Sequence, residues 1–160
     1  MAPETSQFAQ VARAYCNLIE QTADARPPPE WLNDVAVILP QLNAAVSVLA
    51  VDTAPAVSVA PDLDSRFELF SRLHVLLGEL DAYWLEFDAL GDGASGSGSL
   101  ADDLTDIYCE LKMGLELMGV DYAGDGERQA AANWRAGYQA HWGRHLLDAQ
   151  RHLIDLAFPR

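Results

Sequence analysis

The chain has 160 residues and a formal net charge of −14, which arises from 24 acidic and 10 basic side chains. Half of the residues are hydrophobic and 21% are charged, a composition typical of a globular domain and too apolar for a disordered chain. A chain of this length buries ~70% of the surface that its unfolded state exposes, so we expect it to fold without a metal ion or a disulfide.

The acidic balance disfavours some partners and favours others. The basic side chains form no stripe along the sequence that could neutralise a row of phosphates, so we expect no nucleic-acid partner. Electrostatic repulsion likewise disfavours anionic membrane surfaces, whereas cations, basic peptides or the basic face of a partner protein would be attracted. The alternative is that the negative charge serves only to keep the protein soluble.

The N-terminal segment and the cysteines indicate a cytoplasmic protein. Residues 1–10 contain neither the basic nor the apolar region of an export signal. The longest apolar stretch, 35–60, is interrupted by prolines and polar residues, so we do not expect it to span a membrane. Cys16 and Cys109 both fall in helix-like segments, and we therefore expect reduced and buried thiols.

The first half of the chain shows apolar residues at the three- and four-residue spacing typical of amphipathic helices. This periodicity predicts a helix over 6–25, ended by the prolines at 27–29, and a second helix over 28–51. Pro40 predicts a kink inside the second helix. A third helix is predicted over 62–90 by a stripe of large apolar side chains, which are Phe67, Phe70, Leu73, Leu77, Leu80, Trp84 and Phe87.

The second half contains one glycine-rich segment and two further predicted helices. Residues 91–99 favour a flexible linker over a phosphate-binding loop, because no strand precedes them and no lysine follows at the required spacing. Ser99 can cap a fourth helix over 99–118. A fifth helix is predicted over 127–157. We therefore expect an all-α antiparallel helical bundle of about five helices, formed as a single domain over 1–160.

Two sequence blocks resemble signatures of a bacterial helical family known only as a domain of unknown function. The first block contains an Asp-Ile-Tyr motif followed by an acidic residue, a leucine and a lysine, here Asp106, Ile107, Tyr108, Glu110, Leu111 and Lys112. The second block, 138–145, is rich in aromatic residues and contains the pair Trp142 and Gly143. The resemblance spans most of the chain and implies a mainly helical fold and a bacterial cytoplasmic setting, but it implies no activity.

Four potential metal ligands lie along the predicted fifth helix. These ligands are separated by four, three and four residues, and they are His141, His145, Asp148 and His152. This spacing places them on one helix face, and three imidazoles with one carboxylate suit zinc or another transition metal. The alternative is ordinary core or surface residues, because one helix rarely supplies every ligand of a site. The family resemblance also implies that histidine is not obligatory at positions 145 and 152.

An acidic cluster begins the predicted fourth helix and consists of Asp102, Asp103, Asp106 and Glu110. The four-residue spacing of Asp102, Asp106 and Glu110 places them on one side of the helix, where carboxylates could hold Mg²⁺ with substrate phosphates. The segment 103–106 is also similar to the acidic half-motif of helical nucleotide pyrophosphohydrolases, whose second acidic pair is missing here. The alternative is a solvated acidic helix start, which the helix dipole favours.

These patterns lead to two hypotheses for the function. The first is a non-enzymatic interaction or regulatory module that can self-associate. It predicts an exposed apolar or aromatic patch, to which Trp134 is a candidate contributor because it lies off the main stripe of its helix. The alternative is a metal-dependent enzyme acting on a phosphorylated small molecule. It predicts that the acidic and histidine-bearing helices pack together, so that both clusters converge in a site inside the bundle.

Overall fold

The computed structural model describes residues 3–21, 27–49, 62–87, 94–119 and 125–158, which form a helical bundle with one small β-hairpin. In chain order the elements are α1 (Pro3–Glu20), α2 (Pro28–Ser47), α3 (Leu63–Leu77), β1 (Ala82–Phe87), β2 (Ala94–Ser99), α4 (Leu100–Gly119), α5 (Gly126–Gly137) and α6 (Gly143–Ala157). The all-α fold class predicted from the sequence is confirmed. Among the described helices, none is both long and apolar enough to cross a membrane.

Helix α4 lies at the centre of the bundle, where it packs against α1, α3, α5 and α6. Its apolar stripe is fully buried and consists of Leu100, Leu104, Ile107 and Leu111. Burial of each such side chain stabilises the fold by about 1.5–3 kcal/mol. The Tyr15 hydroxyl of α1 donates a hydrogen bond to the Leu104 carbonyl at 2.9 Å. The polar side chains of α4 therefore project from a helix that four other described helices surround.

The four tryptophans divide into three buried side chains and one exposed side chain. Trp134 is fully buried, and its indole Nε1 donates to the Leu111 carbonyl at 3.2 Å. It therefore does not contribute to a partner-binding surface, for which its position off the helix stripe had made it a candidate. Trp31 and Trp142 are also buried, whereas Trp84 is 73% exposed.

The third helix ends earlier than the sequence pattern predicted. Gly78 caps the helix with a positive φ of 53°, which glycine adopts more readily than other residues, and one turn of 3-10 helix begins there. The helix predicted over 62–90 is replaced at 82–87 by strand β1. The linker predicted over 91–99 is replaced at 94–99 by strand β2, which pairs with β1 in antiparallel register. The residues between the strands lie outside the described part of the chain.

Side-chain size explains how the glycine- and serine-rich strand pairs with β1. Tyr83 lies directly opposite Gly98 in the antiparallel register. A Cβ atom at Gly98 would overlap the Tyr83 ring, so the glycine provides the space that the tyrosine occupies. An aromatic residue on one strand thus covers a neighbour that has no side chain.

The first turn of α4 is fixed by Ser99 and by the buried Asp81. Ser99 Oγ accepts a hydrogen bond from the Asp102 backbone N–H at 3.2 Å, which confirms the predicted cap. Asp81, which the sequence analysis did not identify, accepts from the Ala101 N–H at 2.6 Å and from the Ser99 hydroxyl at 2.9 Å. These bonds satisfy amides that the helix leaves unpaired, and they fix the base of the hairpin against α4.

A π-helical segment, Tyr138–Trp142, interrupts the helix predicted over 127–157. The Gly143 N–H bonds to the Tyr138 carbonyl five residues earlier, which is the π pattern. A side chain at Gly143 would clash with this carbonyl, so glycine permits the wider turn. Such segments occur frequently at functional sites, and this one carries His141 and immediately precedes the helix of His145.

Candidate metal centre

Three side chains with metal-binding atoms converge where α4 faces the π segment and the first turn of α6. Asp106 Oδ2 lies 3.3 Å from His145 Nε2 and 3.6 Å from His141 Nε2. The ligand atoms of all three residues lie within 4.8 Å of one another. The expected convergence of the acidic and histidine clusters therefore occurs for these three residues.

Each histidine of this cluster is held by a second carboxylate through its other ring nitrogen. His145 Nδ1 lies 2.7 Å from Asp103 Oδ1, and His141 Nδ1 lies 3.2 Å from Glu110 Oε1. A carboxylate accepts a hydrogen bond but cannot donate one, so it favours the tautomer in which Nδ1 carries the proton. In the neutral rings, both Nε2 lone pairs are then available on the side of Asp106. Metal-ligating histidines are commonly oriented by carboxylates in this way.

Arg66 of α3 binds two carboxylates of α4, that of Asp106 in the cluster and that of Asp102 beside it. Its Nε donates to Asp106 Oδ1 at 2.7 Å, which leaves Oδ2 directed at the histidines. Its Nη2 donates to Asp102 Oδ1, also at 2.7 Å. Asp102, although predicted as a candidate ligand, is therefore engaged by Arg66 and does not join the three converging residues.

The cluster lies at the edge of the bundle, not in its interior as expected. The side chains of His141 and His145 are 48% and 24% exposed, whereas that of Asp106 is only 9% exposed. Hydrogen bonding to Asp103, aided by the nearby aspartates, raises the pKa of His145. Burial raises the pKa of Asp103, and its bonds to His145 and Tyr83 oppose this effect. Asp103 and the nearby aspartates thus favour positive charge at His145, and carboxylates around a site also attract a metal ion.

Asp148 and His152, the other two candidates on the predicted fifth helix, do not join the cluster. His152 is buried, its Nε2 lies 2.7 Å from the Leu80 carbonyl, and its ring stacks on Tyr83 at 4.7 Å between centroids. This histidine ties α6 to the base of the hairpin. Asp148 is partly buried, and it acts on Asp103 and Tyr83 only through its charge.

Two residues of the site were not identified from the sequence. Arg66 is one of two arginines in α3 and lies 36 residues or more from its acidic partners along the chain, so no local pattern indicates which carboxylates it pairs with. Tyr83 donates its hydroxyl proton to Asp103 Oδ2. Burial and this hydrogen bond raise the pKa of Tyr83, so it remains a donor at neutral pH. Its role depends on a strand that the sequence pattern did not predict.

A separate apolar surface lies on the outer side of α6. A groove of about 720 Å³ runs between this helix and β1, and it is lined in part by Trp84, Leu147, Arg151 and Ile154. A second groove, of about 590 Å³, lies between α6 and α2 and shares Ile154. Trp84, Leu147 and Ile154 are each more than half exposed. These exposed apolar side chains, which lie among polar residues such as Arg151, are of the kind that the interaction hypothesis predicts.

Together, the fold and this site define a helical-bundle protein with a candidate metal centre at one edge. The chain belongs to the family described as a domain of unknown function, DUF5063, whose model matches residues 1–158. The family resemblance drawn from the sequence blocks is therefore confirmed.

A solved structure shows the same fold in a bacterial protein. The crystal structure of protein BF1032 from Bacteroides fragilis is similar to this chain with a TM-score of 0.79 and 21% sequence identity. The similarity covers 99% of this chain and 95% of the other. At this identity the likeness establishes the architecture alone. No curated protein matches the sequence.

Proposed function

We propose that this protein binds one divalent transition-metal ion through Asp106, His141 and His145. The observation that carries this proposal is the orientation of the two histidines, whose Nδ1 atoms face carboxylates while their Nε2 atoms face one oxygen of Asp106. Each of these two histidines therefore lies between two carboxylates. The arrangement supplies both the ligands and the groups that orient them.

The two distances between Asp106 and the histidines support a small cation. Zinc binds histidine nitrogen and carboxylate oxygen at about 2.0–2.2 Å, so two ligands of a tetrahedral site lie about 3.4 Å apart. The separations of 3.3 and 3.6 Å between Asp106 Oδ2 and the two Nε2 atoms are close to this value. Two imidazoles with one carboxylate are typical of a transition metal and not of Mg²⁺, which favours oxygen ligands.

Three protein ligands leave at least one coordination position for water or a substrate. Such open sites are typical of catalytic metals, which lower the pKa of bound water and thereby supply a nucleophile at neutral pH. The partial exposure of His141 gives solvent and small molecules access to this position. We therefore propose metal-assisted hydrolysis as the class of reaction, in a cytoplasmic setting that keeps Cys16 and Cys109 as thiols.

Metal titration of untagged, chelator-treated protein tests the proposal, because a purification tag would itself bind metal. We expect one equivalent of Zn²⁺ to bind with micromolar or tighter affinity and to raise the thermal midpoint, whereas Mg²⁺ at the same concentration should not. His141→Ala should abolish this binding, and its partial exposure makes misfolding a minor concern. Gln139→Ala truncates an exposed side chain of the same π segment and is the matched control. Equal binding by wild type and His141→Ala would refute the proposal.

The apolar surface on α6 supports a second candidate function, self-association. Arg151 and Asp155 line the same groove as Trp84 and Ile154. In a two-fold symmetric dimer, each copy could pair its arginine with the aspartate of the other while the apolar side chains pack between them. This local complementarity would act against the general repulsion between two acidic chains.

Sedimentation analysis over a range of concentrations tests this second candidate. Wild type should dimerise, and Ile154→Asp should shift the equilibrium to monomer. Val75→Asp, at a residue of α3 that is 80% exposed, is the control and should leave the equilibrium unchanged. A wild-type protein that stays monomeric at all concentrations would exclude self-association.

A further inference from the structure

The β-hairpin reaches the candidate metal centre through one side chain, Tyr83. Its hydroxyl donates to Asp103 Oδ2, while Asp103 Oδ1 faces His145 Nδ1 at 2.7 Å. We infer that Tyr83 is a positioning residue, which fixes Asp103 and thereby the direction of the His145 ligand atom. This inference rests on the proposed metal function.

Asp103 needs two partners to keep one orientation. The torsion between an aspartate Cβ and its carboxyl group is soft and has no narrow minimum. Asp103 is only 4% exposed, so an oxygen without a donor would also lose its hydration without compensation. With a donor at each oxygen the carboxyl plane is fixed, and the acceptor position for His145 Nδ1 is fixed with it.

Tyr83 is itself held on both sides. Its ring stacks on His152, which is tied to the Leu80 carbonyl at 2.7 Å. On β2, the absence of a side chain at Gly98 provides the space for the ring. The strand that replaces the predicted linker is thus the element that allows the tyrosine to reach Asp103.

A direct consequence is that the hairpin and the metal centre are thermodynamically linked. If an ordered hairpin favours metal binding, then bound metal must favour the ordered hairpin by the same factor. Tyr83 and Trp84 also line the groove beside α6, so a molecule bound in that groove would contact the residue that supports the metal ligand. Metal occupancy should therefore slow amide hydrogen exchange in β1 and β2.

The test compares Zn²⁺ affinity and hairpin hydrogen exchange in wild type, Tyr83→Phe and Tyr108→Phe. Removal of an outer-shell partner typically weakens metal binding 10- to 100-fold. Tyr83 is one contact further from the metal, so we expect a loss of about threefold to tenfold for Tyr83→Phe. The control, Tyr108→Phe, removes a hydroxyl that bonds to Glu20 at 2.7 Å away from the cluster, and it should bind like wild type. Gly98→Ala, which displaces the Tyr83 ring, should also weaken binding.

The outcomes separate this inference from the proposed function. If wild type binds no metal, the metal centre itself is refuted. If wild type and Tyr83→Phe bind with equal affinity, the metal centre stands and the positioning role is refuted. A Tyr83→Phe variant with a lower thermal midpoint but unchanged affinity and unchanged protection of the hairpin by metal would show a structural role only, and would also overturn the inference.

Discussion

Replacement of Asp103 by asparagine removes the acceptor of His145 while it preserves the size of the side chain. Asp103 is buried, and its two oxygens face the His145 Nδ1 and the Tyr83 hydroxyl. An asparagine offers one oxygen and one NH₂ group, so it can accept from only one of these two donors. The partner that faces the NH₂ group must then accept instead of donate, and a His145 ring that accepts at Nδ1 carries its proton on Nε2, the proposed ligand atom.

The expected loss can be estimated from the position of Asp103 in the site. It contacts a proposed ligand directly, and loss of such a partner typically weakens metal binding 10- to 100-fold. This range corresponds to about 1.4–2.8 kcal/mol of binding free energy. His145 would keep its place in α6, so we expect weaker binding and not a complete loss.

Competition with a chromophoric chelator at neutral pH measures this effect. Glu116→Gln is the matched control, because Glu116 is an exposed carboxylate on the same helix and makes the same change in charge. It should bind Zn²⁺ like wild type, apart from a small general charge effect. If Asp103→Asn and Glu116→Gln both keep wild-type affinity, the carboxylate does not orient His145 as a metal ligand.

Two further predictions concern the bundle that carries the site. A Cβ at Gly114 would overlap the Trp134 indole, so Gly114→Ala should lower the free energy of unfolding in urea by about 1–3 kcal/mol, an effect that improved helix propensity offsets by up to about 1 kcal/mol. In the control, Gly119→Ala, the added Cβ meets no neighbour and should cause no loss of stability. Equal stabilities of the two variants would contradict the packing of Gly114 against Trp134. Hydrogen bonds from Lys112 and then Tyr108 lower the pKa of Glu20 below 4.5, so its contribution to stability is present above that pH and is lost as the pH falls through the folded-state pKa. Because the Glu20–Lys112 pair is partly exposed, Glu20→Gln should lower the free energy of unfolding by less than about 1 kcal/mol at pH 7. A difference from wild type that persists in strong acid would refute this role of the ionised Glu20 carboxylate.

Much of the helical framework could be predicted from the spacing of apolar residues, because a helix that faces a core must repeat its apolar side chains every three to four residues. The cap at Ser99 and the buried stripe of α4 follow from such local rules. The hairpin does not, since the side chains of β1 also match a helical stripe. Gly78 was the local signal that the helix ends, and Gly98 faces Tyr83 only after the strands have paired.

The candidate site could be predicted only in part, because its residues come from separate elements. The two clusters were expected to converge if their helices packed together, and Asp106, His141 and His145 do so. Glu110 lies beside His141 as its hydrogen-bond partner. Helical spacing alone could not show that His152 would turn to the Leu80 carbonyl at the base of the hairpin, since that contact depends on tertiary packing.

Crystals soaked with Zn²⁺ or Co²⁺ would test the metal centre most directly, by anomalous diffraction at the absorption edge of the metal. We expect one strong peak at about 2.0–2.2 Å from His141 Nε2, His145 Nε2 and Asp106 Oδ2, with both Nδ1 atoms still bonded to their carboxylates. The absence of a peak between these atoms, or a metal bound only at other surface residues, would contradict the proposed function.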